Sequence, residues 1–222
     1  MPKSSILAIE TSVETGSVAL QVEGQLLAEH SFFAGRKPSA TLWPALEEVM
    51  TGVDALDLIV VGIGPGSYNG SRVGIAAAQG IALVHNCPVA PICSFEGVAT
   101  DTQQALAIGD ARRGSFSLQK VTSGRIEEDF SLVDQTDLEA TILANQKQGH
   151  EVFSFDPATR FPVSEEAQAV IKQKNSQARL LINSFTKRSP AAQQLCLETL
   201  PEPFYLRDPH ITMGKRKSLL ER

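Results

Sequence analysis

The segment Gly64-Pro65-Gly66-Ser67-Tyr68-Asn69-Gly70-Ser71-Arg72-Val73-Gly74 is the part of this sequence best suited to chemistry. Three glycines fall within residues 64–70, between an apolar run and an apolar helix-like stretch. Such a loop can turn backbone N–H groups toward an anion. Two phosphate signatures fail here: no lysine completes a GxxxxGK[ST] loop, and Asn69 stands where a dinucleotide fingerprint needs its third glycine. A tight connection that lets the helix pack closely on a sheet explains the glycines equally well. Two carboxylates come next. Glu10 ends the first apolar run, and Asp110 ends a similar run later in the chain. Facing each other across a cleft, with Thr11, Ser12, Gly64, Gly66 and Ser67 nearby, they can hold a magnesium-nucleotide; alone, each can simply accept hydrogen bonds from its turn. Arg112-Arg113 is either a phosphate clamp or an exposed basic turn.

Other catalytic arrangements are missing. The histidines at 30, 85, 150 and 210 are at least 55 residues apart, which excludes HxxxH and HExxH metal motifs. No GxSxG elbow supports a serine nucleophile. Cys87, Cys93 and Cys196 form no CxxC pair, so they read as small buried hydrophobes in a reducing cytosol.

The elements that must position these residues alternate between strand and helix. Ser5–Glu10 and Ser17–Val22 read as strands around a turn, and Glu23-Gly24 turns the chain into a third, Gln25–Phe33. A helix follows from about Thr41 to Met50, with Thr41 as its cap and Pro44 in its first turn. Asp57–Ile63 reads as a strand buried on both faces. After the glycine loop come a helix Arg72–His85, a strand Pro88–Ile92 and a helix from Ser94. This alternation predicts an α/β layer architecture.

The pattern then restarts. Leu7-Ala8-Ile9 recurs as Leu106-Ala107-Ile108, 99 residues later, while Gly16-Ser17 and Leu20-Gln21 recur 98 residues later. One deletion in the turn reconciles the offsets, and Ser123-Gly124 repeats the turn at Glu23-Gly24. An internal duplication is therefore expected, with residues 1–102 and 103–222 as two subdomains. The second contains a helix capped by Thr136 with Glu139 closing a capping box, a strand His150–Phe155, one or two helices between Ser164 and Lys187, and a basic tail at Lys215–Lys217.

Composition narrows the function classes. The 222 residues are 42% hydrophobic, with 20 basic and 25 acidic side chains, so disorder, fibrous repeats and a disulfide scaffold are excluded. A net charge of −5 argues against a stand-alone, non-specific nucleic-acid binder. The first 110 residues hold 4 basic and 11 acidic side chains and the rest 16 and 14, so an anionic partner is better received by the second half. The apolar stretch Ile6–Ile9 is too short for a signal peptide, and no run approaches the roughly 18 apolar residues of a membrane span. A cytoplasmic protein with no membrane contact is expected.

The helix after the glycine loop has almost no polar face. Within Arg72–His85 only Arg72, Gln79 and His85 are long or polar. Gly74, Ala77, Ala78 and Ile81 mark one side, and Val73, Ala76, Gly80 and Val84 another. One side packs on the sheet; the other needs a second cover, from this chain or from another. Arg72, Val73, Ala76, Ala77 and Gly80, with Leu42, Trp43 and Leu46 of the preceding helix, are the candidate partner interface.

Together these segments resemble the TsaB (YeaZ) family. The opening is Ile6-Leu7-Ala8-Ile9-Glu10-Thr11-Ser12 with Ser17-Val18-Ala19-Leu20, and the loop-helix is Gly64–Ala82. The turn is Asp110-Ala111-Arg112-Arg113-Gly114, and the late motif is Pro203-Phe204-Tyr205-Leu206-Arg207. The resemblance implies a duplicated actin-like (ASKHA, RNase H-like) ATPase fold, α/β, with a mixed sheet and helices in each subdomain. It further implies a non-catalytic role in forming threonylcarbamoyladenosine on tRNA. There such a protein pairs through its first two helices with a metal-bearing TsaD-type transferase, joined by a TsaE-type ATPase, and reaches tRNA through the complex. ATP or ADP with magnesium can then sit at the partner interface, and a homodimer can form when the partner is absent. The sequence departs from the family pattern at Glu10 (usually Asp), Gln79 (usually Lys), Ser115, Ser117 and Pro38. The rival expectation is a small magnesium-ATP-dependent phosphotransferase on the same fold; a metalloprotease lacks ligands in register.

Overall fold

A computed structural model describes residues 4–35, 37–126 and 128–206. The basic tail at Lys215–Lys217, Arg207 of the late motif and His210 lie outside the described residues. The first half runs β1 (Ser5–Glu10), β2 (Thr15–Val22), β3 (Gln25–Phe33), α1 (Pro38–Val49), β4 (Leu58–Gly62), α2 (Tyr68–His85) and β5 (Val89–Ile92). The second runs β6 (Gln104–Asp110), β7 (Ser115–Thr122), β8 (Arg125–Ile126), β9 (Ser131–Asp134), α3 (Gln135–Lys147), β10 (Glu151–Ser154), α4 (Glu165–Val170) and β11 (Ile171–Gln173). Helices α5 (Ala178–Thr186) and α6 (Pro190–Glu198) follow.

The first sheet has the order β3-β2-β1-β4-β5 and the second β11-β10-β6-β7-β8, with β9 also on β7. Read from opposite ends they are the same arrangement. A central strand pairs antiparallel with its hairpin partner on one side and parallel with crossover strands on the other. The duplication also preserves faces. Leu7 and Ile9 point into a core closed by α1 and α2, and Leu106 and Ile108 into one that includes Leu138 and Ile142 of α3. The register is not preserved, because Leu7 pairs with Leu20 whereas Leu106 pairs with Lys120. The repeated letters would pair Leu106 with Leu118. A slip of two residues keeps every side chain on its own face, whereas a slip of one would turn the core outward.

Strand β4, Leu-Ile-Val-Val-Gly, is buried throughout because both faces are covered. Ile59 and Val61 meet the α1/α2 layer, while Leu58 and Val60 meet Leu181, Ile182 and Phe185 of α5. The second cover of the first sheet thus comes from the end of the chain. A cut at residue 102 separates the sheets but not the helices that serve them.

Several local expectations need correction. Helix α1 begins at Pro38, with Lys37 at its cap and no side-chain cap bond; the Thr41 hydroxyl donates instead to the Pro38 carbonyl, 3.2 Å away. Pro38 fills the first-turn position, where a missing N–H costs nothing, and Pro44 lies inside the helix. Helix α2 starts one turn before Arg72, since Ser67 caps it by accepting from Gly70 N at 3.1 Å. Ser94 opens only a single 3-10 turn, Ser94–Gly97. Asp134, not Thr136, caps α3 by accepting from Thr136 N and Asp137 N. Glu139 accepts instead from Ser164 N, and hydrogen bonding from the Ser164 side chain and then its backbone holds the carboxyl below the usual range.

Candidate functional site

Two surfaces hold the residues singled out by the sequence. The first is the cleft between the sheets, a cavity of about 650 Å³. Its walls are the β1–β2 turn at Ser12–Glu14, the loop Pro65–Ser67, the β6–β7 turn at Asp110–Arg113, and Arg160. Aromatic residues Phe95 and Phe155 and the segment Phe204–Leu206 complete it.

The acidic residue ending β1 lies beneath this cleft rather than in its wall. Glu10 is fully buried, and its Oε1 accepts from Ser12 N and Ser12 Oγ, both at 2.7 Å. Gly62 is required beside it, because a Cβ there would collide with the Glu10 carboxylate. Thr11, also buried, donates from Oγ1 to the Gly70 carbonyl at 2.8 Å. Ser12 Oγ bonds to Ser94 Oγ at 2.9 Å, and Ser94 Oγ accepts from Gly64 N at 3.0 Å.

The glycine loop is therefore a seat for the first hairpin turn. Ser67 N donates to the Ser12 carbonyl at 2.6 Å, so the N–H groups of Gly64, Ser67 and Gly70 all have partners within the chain. Gly66 has φ +155°, and a Cβ there would strike the Ser12 carbonyl oxygen. That oxygen belongs to backbone and cannot swing away. We expect Gly66→Ala to cost at least about 2 kcal/mol of stability, read as a lower urea midpoint at unchanged slope.

Opposite the loop, Asp110 is ion-paired within its own subdomain. It accepts from Arg112 N at 2.7 Å and pairs with Arg112 Nη1 at 3.2 Å and Arg160 Nε at 3.6 Å. Arg112 and Arg113 both adopt left-handed backbone, with φ +68° and +56°, which turns the β6–β7 connection tightly. The Gly64, Ser67 and Gly70 amides are thus engaged, and Glu10 lies beneath the cleft whose wall holds Asp110. Glu10 Oε2 is buried there, with no hydrogen-bond partner among the described residues. Among the described residues, no three His, Cys, Asp or Glu side chains converge. The three cysteines are free thiols. No helix among these residues is long and apolar enough to cross a membrane.

The second surface is the outer face of α1 and α2. Gly74, Ala77, Ala78 and Ile81 are buried against the sheet, while Arg72, Ala76, Gln79, Gly80, Leu83 and Val84 are exposed. Leu83 and Val84 are 84% and 82% exposed and Trp43 is 53% exposed, values that mark an uncovered apolar face. Trp43, Met50, Ile81, Val84 and His85 frame a groove of about 420 Å³ between the helices. Three candidate interface residues move to the interior: Leu42 and Leu46 are core residues of α1, and Ala77 is a core residue of α2. Val73 is half-buried. In α1, Leu42, Ala45, Leu46 and Val49 form one buried stripe, and Trp43 falls beside it.

Arg160 and Phe155 of the cleft and Leu83 of the helical face lie on these candidate surfaces, and sequence reasoning missed them. Arg160 sits in an isolated 3-10 turn, Ala158–Arg160, with no motif around it.

A family model described as tRNA N6-adenosine threonylcarbamoyltransferase (TsaD) matches residues 39–171, more than half of the chain. The chain is 30% identical over 140 residues to the tRNA threonylcarbamoyladenosine biosynthesis protein TsaB of Haemophilus influenzae, covering 59% of each chain. It is 32% identical over 134 residues to the Bacillus subtilis TsaB, covering 56% of this chain and 58% of the relative. The chain therefore spans under two thirds of the length of these curated relatives. Among solved structures, YeaZ from Pseudomonas aeruginosa superposes with a TM-score of 0.68 at 23% identity. That match covers 91% of this chain and 100% of the other, and it establishes the shared two-subdomain α/β fold.

Proposed function

We propose that this chain, which belongs to the TsaD family described by that model, is of the TsaB (YeaZ) type that its curated relatives are named for, a non-catalytic subunit of the system that forms threonylcarbamoyladenosine on tRNA. In this reading it docks on a TsaD-type transferase through the exposed face of α1 and α2. A TsaE-type ATPase joins the pair, tRNA is reached through the complex, and two copies of this chain use the same face when no transferase is present.

One observation carries the reading. Gly80 lies in the middle of α2, where glycine costs about 1 kcal/mol relative to alanine. Yet a Cβ at Gly80 would meet nothing within 4 Å in its own chain. The other helical glycines of α2, Gly70 and Gly74, are each explained by contact with Thr11. Gly80, beside Ala76 and between exposed apolar residues, leaves a flat strip that lets a second backbone approach closely. Docking there would bias the transferase toward its competent arrangement, by no more than the difference in affinity for its two states. The phosphotransferase reading has no comparable support: Asp110 is paired with Arg112 and Arg160, and Glu10 is buried beneath the cleft.

Reconstitution tests the proposal. A TsaD-type transferase and TsaE-type ATPase supplied with tRNA, ATP and the threonylcarbamoyl donor should form modified nucleoside only when this chain is added. Equal product without it overturns the reading.

A further inference from the structure

We propose that residues 204–206 form a latch that fixes the angle between the two subdomains and ties that angle to the start of α2. The segment has no regular secondary structure. Each residue is held by one half of the molecule or the other. Phe204 N donates to the Ile63 carbonyl at 2.8 Å, just after β4 of the first subdomain. The Phe204 ring meets Phe130 of the second subdomain edge-on, with centroids 5.4 Å apart and planes at 85°. Leu206 Cδ1 rests against the backbone of Gly109, at the end of β6.

Tyr205 turns the other way. Its ring stacks on Tyr68 in the first turn of α2, with centroids 5.2 Å apart and planes at 24°. The Arg72 guanidinium lies 4.5 Å above the same Tyr68 ring. Burial pushes the Tyr205 hydroxyl above its ordinary pKa, against the opposing pull of Arg72. One short strand of chain therefore touches Ile63, Tyr68, Gly109 and Phe130, two points on each side of the cleft.

The sequence favours such a strap. Pro201 and Pro203 fix two backbone angles just before it, which lowers the entropy lost when the segment is ordered. Tyr68 and Tyr205 are the chain's two tyrosines, and they are placed against each other. Because Arg72 is exposed on the docking face, freeing the latch changes that face as well as the cleft. The latch is a property of the single chain, so its failure leaves the docking proposal untouched.

Hydrogen exchange on the full chain without any partner tests it. Tyr205→Ala and, separately, Phe130→Ala should speed exchange at least about ten-fold at the amides of 12–14 and 110–114, while the buried amides of β4 keep their rates. Tyr205→Phe keeps the ring and should behave as the parent. Lip amides that stay within about two-fold of the parent in both alanine variants overturn the latch. So does acceleration that is uniform across lips and β4, or a Tyr205→Phe variant as fast as Tyr205→Ala.

Discussion

Arg188→Ala is expected to remove about 3–5 kcal/mol from the folding free energy, a large share of the roughly 5–15 kcal/mol that holds a domain together. Glu96 is buried and Arg188 largely so, with side chains 4% and 11% exposed. Arg188 Nη2 bonds both Glu96 oxygens, at 3.0 and 2.9 Å, and Nη1 bonds the Ser184 carbonyl and hydroxyl at 2.8 and 2.7 Å. The Ser184 hydroxyl also donates to Glu96. Deleting the arginine strands a carboxylate away from water with one hydroxyl for company, and that desolvation is the main cost. Replacing both charges, as in Glu96→Leu with Arg188→Leu, should recover most of the loss, because a buried pair exchanged for well-packed apolar groups is often nearly neutral. Urea unfolding of the two single variants and the double variant gives the coupling directly. If Arg188→Ala loses under about 1 kcal/mol, the pair is not buried as described.

This ion pair also explains how the end of the chain supports the site at its beginning. It clamps α5 to the 3-10 turn Ser94–Gly97, whose first residue donates from N to the Gly64 carbonyl at 2.7 Å and accepts from Gly64 N. Ser94 Oγ in turn holds Ser12, and so the hairpin turn that fills the glycine loop. Loosening the α5 contact removes the floor under that loop.

Local pattern made part of this legible in the sequence. The alternation of apolar runs identified β1 to β5 and the two crossover helices, because each must bury a face in a layered sheet. The repeated Leu-Ala-Ile identified a second copy, because inward-facing residues are constrained by packing in both halves. What failed depended on contacts distant in sequence. Glu10 and Asp110 occupy similar sequence positions, but residues 9 and 108 share a face in their respective sheets. By that alternation Glu10 corresponds to Gly109 and Asp110 lies one residue further on, facing Arg160. The short strands β9 and β11 carry no signal of their own and exist only as pairing partners of β7 and β10. Nothing in the spacing of α5 announced that it would cross back to cover the first sheet.

Gly80→Arg should abolish docking while leaving the fold intact, and that separation makes it the stronger test of the proposed function. Its Cβ enters open space, and arginine favours a helix interior over glycine by somewhat under 1 kcal/mol, so the melting temperature should hold or rise slightly. At a close helix contact, the same side chain must either be buried as an unpaired charge or hold the two surfaces apart. The expected penalty is at least about 3 kcal/mol, a weakening of roughly 100-fold or more in affinity for a TsaD-type transferase. Ala76→Glu, one turn earlier on the same exposed strip, should act in the same direction. Ala77→Glu is a poor substitute despite standing next in sequence, because Ala77 is only 4% exposed and a carboxylate there would damage the core of the chain itself. Titration calorimetry with the transferase, alongside thermal melts of each variant, distinguishes the cases. A Gly80→Arg protein that melts like the parent and binds within about three-fold of it would place the partner surface elsewhere, since about 0.7 kcal/mol is too small for a charge forced into a tight helix contact.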